Sequence, residues 1–204
     1  MILIDLSQIM VASTMMSMGK DRTEVDITMI RHMILNSLRM YRQKYHVEYG
    51  ELVLCCDGRN SWRREHFPLY KASRKTTRDS SSKDWSQIFE CFDTIKSELK
   101  EYFPYKYIEI EDAEADDIIG FFAKTQDVPI MIISGDKDFI QLQVRDNVDQ
   151  YSPITKKIVY DVNPAKYLKE HILRGDSSDG VPNFLSADNC IVDKIQQTPI
   201  TKKK

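Results

Sequence analysis

The residues of this chain able to do chemistry are carboxylates, and they are crowded. Asp112-Ala113-Glu114-Ala115-Asp116-Asp117 is followed by Ser134-Gly135-Asp136-Lys137-Asp138, with a helix-like run from Ile118 to Thr125 and a short apolar run from Ile130 to Ile133 between them. Carboxylates packed into one pocket repel each other and raise one another's pKa unless a cation neutralises them. Oxygen-only donors select hard cations such as Mg²⁺ or Mn²⁺ over zinc. The spacing therefore predicts the floor of a divalent-metal site.

The elements that must position these acids are legible around them. Ile2-Leu3-Ile4 runs into Asp5, and Leu52-Val53-Leu54-Cys55-Cys56 runs into Asp57-Gly58. Both have the pattern of a buried parallel strand with a carboxylate at its C-terminal end. Between them Ile27, Ile30, Ile34, Leu38, Tyr41 and Tyr45 recur at steps of three and four, the apolar face of a helix of about five turns. A second helical period runs through Ile88, Phe89, Phe92, Ile95, Leu99 and Tyr102, and a strand over Tyr105 to Ile110 leads to the acidic cluster. After Asp138 a short helical run, a hairpin over Val148 to Tyr160 and a helix over Pro164 to Leu173 are expected, and two more acids follow at Asp176 and Asp179. Strand–helix–strand units with acids at the strand ends predict a doubly wound α/β sheet, whose ligands sit outside the carboxyl ends of the strands.

Residues 59–78 differ in character, with seven basic residues against one acid, Glu65, and Trp62, Phe67 and Tyr70 interleaved. Basic groups meet phosphates and rings stack on bases, so this stretch is a candidate nucleic-acid contact, against the blander reading of a solvated basic loop. Ser80-Ser81-Ser82 then reads as a flexible loop. The net charge of −2 decides nothing about partners. Four cysteines without C-x-x-C spacing point to reduced intracellular thiols, and the absence of any long apolar run or signal-peptide pattern to a soluble protein. No glycine-rich nucleotide-binding motif is present. The four histidines, His32, His46, His66 and His171, are scattered, which gives a histidine metal site or a Ser-His-Asp arrangement little support.

Six blocks in order carry a resemblance: Ile4-Asp5, Cys56-Asp57, Trp62-Arg63-Arg64-Glu65 through Tyr70-Lys71-Ala72-Ser73-Arg74, Glu114-Ala115-Asp116-Asp117, Ser134-Gly135-Asp136-Lys137-Asp138 and Gly175-Asp176-Ser177-Ser178-Asp179. The chain resembles the 5′-nuclease (flap endonuclease) superfamily, and most closely the ribonuclease H group of T-even-type bacteriophages. The resemblance implies a PIN-like α/β fold, a central mainly parallel sheet flanked by helices, with a basic arch insertion at about residues 59–84. It implies a catalytic domain over residues 1–183 and a short C-terminal remnant over 184–204, since the Gly-x-Gly-x-Lys signature of a helix–three-turn–helix element does not follow Gly180-Val181-Pro182-Asn183.

The implied activity is 5′→3′ exonuclease and flap endonuclease cleavage with two Mg²⁺ ions, for which Mn²⁺ can substitute. Carried over by position, Asp5, Asp57, Glu114, Asp116 and Asp136 would hold the first ion. Asp138, Asp176 and Asp179 would serve the second, with Asp117 shared between them or one shell out. Lys71 would stabilise charge on the scissile phosphate and Tyr70 would stack on a base. Arg63, Arg64, Arg74 and Lys75 would belong to the arch that passes a single strand. The implied partners are DNA and RNA–DNA hybrids with 5′ ends or flaps, a sliding clamp and a single-stranded-DNA-binding protein, with no membrane, in the cytoplasm of a bacterial host. Competing readings are a PIN-type ribonuclease, a branched-DNA-binding fragment without activity, and a receiver-like domain.

Overall fold

The computed structural model describes residues 1–19 and 24–200, so the basic run Lys202 to Lys204 lies outside the described residues. Strand β1 (Ile2–Asp5) turns directly into helix α1 (Leu6–Met18), because Asp5 ends the strand in extended geometry and its carboxylate accepts the Gln8 N–H at 3.0 Å, capping the helix. The sequence pattern does not announce α1. Its buried positions include Ser13 and Thr14, and the Thr14 hydroxyl is satisfied only by donating back to the Met10 carbonyl at 2.9 Å.

Helix α2 (Ile27–Tyr49) buries Ile30, Ile34, Leu38, Tyr41 and Tyr45 as its period predicts, extends that face to Tyr49, and leaves Ile27, at its first turn, half-buried. Then come β2 (Leu52–Cys56), two short helices α3 (Arg63–His66) and α4 (Ser73–Asp79) in the basic stretch, and α5 (Trp85–Tyr102), capped by Asp84. Next are β3 (Lys106–Glu109), α6 (Ala115–Thr125), β4 (Ile130–Ile133), a 3-10 segment (Lys137–Val144), the hairpin strands β5 (Val148–Ser152) and β6 (Lys157–Val159), and α7 (Pro164–Arg174).

The six strands form one sheet in the order β3-β2-β1-β4-β5-β6, parallel throughout except for β6. Side chains alternate between its two faces, and each face has its own core. Ile2, Ile4, Leu54 and Ile133 pack against α1, α2 and α5, whereas Leu3, Val53, Ile130 and Ile132 pack against α6 and the 3-10 segment. Burying each such side chain contributes about 1.5–3 kcal/mol. That stabilisation lets the strand ends carry repelling charges.

Asp5 lies opposite Cys55 and Ile4 opposite Ile133, so the carboxyl ends of the three central strands are level. The strand order reverses between β1 and β4, and a crevice opens at such a switch point. Gly58 fits there because a side chain would collide with the backbone: its Cβ would stand 2.2 Å from the Ile110 carbonyl oxygen. The Gly58 N–H instead donates to the Ala113 carbonyl at 2.8 Å, bringing the approach to α6 against the end of β2.

Beyond α7 the described chain, to residue 200, has no further helix or paired strand apart from an isolated bridge between Asp176 and Val181. The tail folds back all the same, with Asn183 Nδ2 donating to the Thr198 carbonyl at 2.9 Å and Asn183 N to Gln197 at 2.8 Å.

Candidate metal centre

Four acids converge on the switch point. Asp5 ends β1, Asp57 follows β2, Asp136 caps the 3-10 segment after β4, and Asp116 sits in the first turn of α6. Their orientations are set by local hydrogen bonds. Asp57 Oδ1 accepts the Ala115 N–H at 2.8 Å, Asp136 Oδ1 accepts the Asp138 N–H at 2.9 Å, and Asp5 Oδ2 accepts the Ser134 hydroxyl at 3.0 Å. Among the described residues no lysine, arginine or histidine nitrogen lies within 4.0 Å of any of the four carboxylates.

Burial and the charges of Asp57 and Asp136 together push the Asp5 carboxyl up to about 6, against the pull of its bonds from Gln8 and Ser134. Burial, then Asp5 and Asp136, push Asp116 up to about 8, with only a partial offset from Lys71. A protein holds this much unanswered negative charge in one crevice at a real cost.

Three neighbouring acids are treated differently, each met by a cation from residues 62–74. Lys71 Nζ lies 2.9 and 3.0 Å from the two Glu114 oxygens. Arg63 forms a two-pronged pair with Asp117, both contacts at 2.8 Å, and Trp62 Nε1 adds a bond at 3.3 Å. Arg74 pairs with Asp179 at 2.5 Å. Burial opposes the charge on Asp117, but the Arg63 bonds and the Glu114 N–H outweigh it and hold its carboxyl below the ordinary range. Asp117 also closes a capping box with Glu114 at the start of α6.

Lys71 adopts φ +56, the left-handed region that costs a non-glycine residue roughly 1 kcal/mol or more. Its N–H donates to the Asp179 carbonyl at 2.7 Å, so the strained turn ties the basic stretch to the loop after α7.

Tyr70, read from the sequence as a base-stacking ring, is turned inward in this structure. It is buried, and its hydroxyl donates to Glu114 at 2.8 Å and reaches Asp179 at 3.0 Å, so it cross-links the two loops. Burial and the Glu114 bond both raise its pKa. Arg63, likewise placed in the arch by sequence, is spent on Asp117. Arg64 and Lys75 are exposed with no salt-bridge partner among the described residues, and Arg74 is exposed beyond its pair.

The remaining acids gather at the other side of the crevice. Asp138 meets His171 Nε2 at 2.8 Å, and Asp176 Oδ1 accepts both the Ser178 N–H and hydroxyl at 2.7 Å. One donor atom from each of Asp138, His171 and Asp176 lies within 4.8 Å of the others, the one such trio among the described residues. The scattered spacing of the histidines had argued against any such group. The fold nevertheless brings His171 to Asp138 by laying α7 across the 3-10 segment, an approach that no sequence interval between 138 and 171 encodes. A cavity of about 940 Å³ opens beside this trio, with Asp116, Asp138 and Asp176 in its wall and Trp62, Phe121 and Phe184 among its apolar lining.

Comparison with known proteins bears on this geometry. A family model described as the 5′-3′ exonuclease N-terminal, resolvase-like domain matches residues 1–171. The ribonuclease H of Enterobacteria phage T4 is 37% identical over 187 residues, which cover 88% of this chain and 61% of that protein. The chain thus spans about three fifths of that relative's length. Among solved structures, a bacteriophage T5 protein co-crystallised with metal ions superposes with a TM-score of 0.70 at 16% identity, over 100% of this chain and 80% of that one. The T5 flap endonuclease in a pseudo-enzyme-product complex with DNA and metal ions gives 0.69 at 15% identity, over 95% and 73%. These likenesses establish the PIN-like α/β fold.

Proposed function

The chain belongs to the 5′-3′ exonuclease family, and from that premise we propose that it is a divalent-metal-dependent nuclease that hydrolyses phosphodiesters at 5′ ends and flaps. The observation that carries this reading is the set of four carboxylates at the switch point with, among the described residues, no cationic nitrogen within 4.0 Å of them and with Asp5 and Asp116 pushed up by burial and by the neighbouring acids. Their donor chemistry fits hard divalent cations: all oxygen, buried (Asp5) or half-buried (Asp57, Asp116 and Asp136), and mutually repulsive without added positive charge. Asp5, Asp57, Asp116 and Asp136 would hold one ion, with Glu114 beside them. Asp138, Asp176 and Asp179 would serve a second. The physiological ion in this reading is Mg²⁺, with Mn²⁺ as a substitute. When bound, such a pair supplies an activated water and charge stabilisation for the leaving oxygen.

The chain's own residues supply the rest. Lys71, held at the edge of the acid cluster by its strained turn, is the cation nearest the scissile phosphate and stabilises charge that develops there. Arg64, Arg74 and Lys75 form the exposed phosphate-binding row. Tyr70 and Arg63 are positioning residues that fix Glu114 and Asp117. Residues 1–183 are the catalytic unit, and the substrates are DNA and RNA–DNA hybrids with 5′ ends. The likeness to a ribonuclease H of phage T4 supports removal of RNA primers as one task. A sliding clamp and a single-stranded-DNA-binding protein are the replication partners in the same reading.

Cleavage of a 5′-labelled flap and of a 5′-recessed RNA–DNA hybrid, with Mg²⁺ and with chelator, tests the proposal. Metal-dependent release of short 5′ products is expected. Preferential cutting of single-stranded RNA would instead favour a PIN-type ribonuclease, and a band shift without products would mean that this chain only binds.

A further inference from the structure

We infer that His171 is a nitrogen ligand of the second cation site, beside Asp138 and Asp176, and gives that site a preference for borderline divalent cations that the all-oxygen cluster lacks. The inference rests on the metal-dependent reading above and adds to it a residue outside every acidic motif of the sequence.

The spacing suits one ion. Metal–nitrogen and metal–oxygen bonds of about 2.0–2.2 Å place two ligands of the same ion no more than about 4.4 Å apart. The donor atoms of Asp138, His171 and Asp176 all fall within 4.8 Å of one another, and His171 Nε2 stands 2.8 Å from Asp138 Oδ1. A shift of a few tenths of an ångström would seat a cation among them.

The imidazole is held rather than free to wander. Tyr167, one helical turn earlier on α7, stacks on it with ring centroids 5.8 Å apart and planes 14° from parallel. The helix ends immediately after, with the Gly175 N–H donating to the His171 carbonyl at 2.9 Å. Gly175 takes φ +68 and passes so close to Pro182 that a Cβ would stand 2.4 Å from its backbone, so only glycine lets the chain double back and return Asp176 toward His171. Asp176 keeps Oδ2 available, since Ser178 binds Oδ1.

Imidazole nitrogen suits the later first-row cations, whereas carboxylate oxygen suits Mg²⁺. A histidine that serves only as an ion-pair partner of Asp138 makes the opposite prediction. It competes with the metal, so its removal would leave cation affinity unchanged or raise it.

The test is calorimetric titration of the full chain with Mg²⁺ and separately with Co²⁺, repeated on His171→Ala and His171→Gln, with the visible absorption of bound Co²⁺ as a second readout. The side chain is partly exposed, so both variants should fold, and His171→Gln keeps a polar group of similar reach if His171→Ala does not. The expected result is a loss of Co²⁺ affinity of about tenfold or more in both variants, a changed Co²⁺ spectrum, and a Mg²⁺ affinity altered by less than about threefold. Co²⁺ affinity that is unchanged or higher in the variants would overturn the assignment while leaving the metal-dependent nuclease intact. Wild-type chain that takes up neither cation would overturn that broader reading as well.

Discussion

Asp5, Asp57 and Asp136 at or just beyond the strand ends, and Asp116 in the first turn of α6, have no cationic nitrogen within 4.0 Å among the described residues, whereas Glu114, Asp117 and Asp179 nearby are met by Lys71, Arg63 and Arg74. Both sets belong to one acidic edge, and both are partly or wholly buried. The difference lies in where the neutralising charge comes from. The second set is satisfied by the chain itself and forms a scaffold that fastens the basic stretch to α6 and to the loop after α7. The first set is left for something from solution. Among the described residues the fold places three of its own cations on the outer acids and none within 4.0 Å of the inner four, and the proposed metal site rests on that contrast.

The largest effect expected from breaking this contrast is on activity. Asp136→Asn keeps the side-chain oxygen that accepts the Asp138 N–H but removes one inner charge, so cleavage should fall at least about 10³-fold, while the cation-free protein becomes slightly more stable. Measurable turnover close to wild type would remove Asp136 from the metal site. Lys71→Ala cuts from the other side. It should slow cleavage about 10²-fold and also lower stability, because Glu114 and Asp179 lose a shared cation. Opposite signs of stability change in these two variants, read from denaturant midpoints, are the signature of the two regions.

The pH dependence of the cation-free protein sharpens the comparison. The Asp116 carboxyl ordinarily titrates near 3.8 and is pushed up to about 8 in the folded chain, and Asp5 moves in the same direction to about 6. Between the unfolded and folded values the native state binds more protons than the unfolded state, so stability falls as pH rises. In chelator, the melting temperature should therefore decline between about pH 4 and pH 8, and Asp116→Asn should flatten that decline. The smallest effect belongs to the scaffold. Arg63→Ala strands Asp117 and weakens the capping of α6, for an expected loss of about 1–2 kcal/mol in urea unfolding.

The parallel strands and the acids at their ends were legible because apolar runs stop at or just before a carboxylate, as Ile4-Asp5 and Cys56-Asp57 do, whereas the order of the strands in the sheet was not. Helix α1 was not, since Ser13 and Thr14 occupy its buried positions and blur the period. The inward contacts of Tyr70 and Arg63 were not legible for a different reason. Composition marks residues 59–78 as basic and aromatic, but it does not say which cations turn inward to answer Glu114, Asp117 and Asp179, a matter settled by the strained turn at Lys71 and the backbone bond to Asp179. His171 was hidden by distance along the chain, because its meeting with Asp138 depends on how α7 lies across the 3-10 segment.

The central claim, that the inner acids await a cation from solution, is tested most directly by thermal unfolding of the wild-type chain and of Asp116→Asn at neutral pH, each with Mg²⁺ and with chelator. At a Mg²⁺ concentration about a hundred times the dissociation constant, binding to the native state alone adds about 2.7 kcal/mol, or roughly 5–10 °C for a chain of this size. The wild-type melting temperature should rise by that amount and the variant's by much less. A wild-type chain that melts at the same temperature with Mg²⁺ and with chelator would contradict the claim.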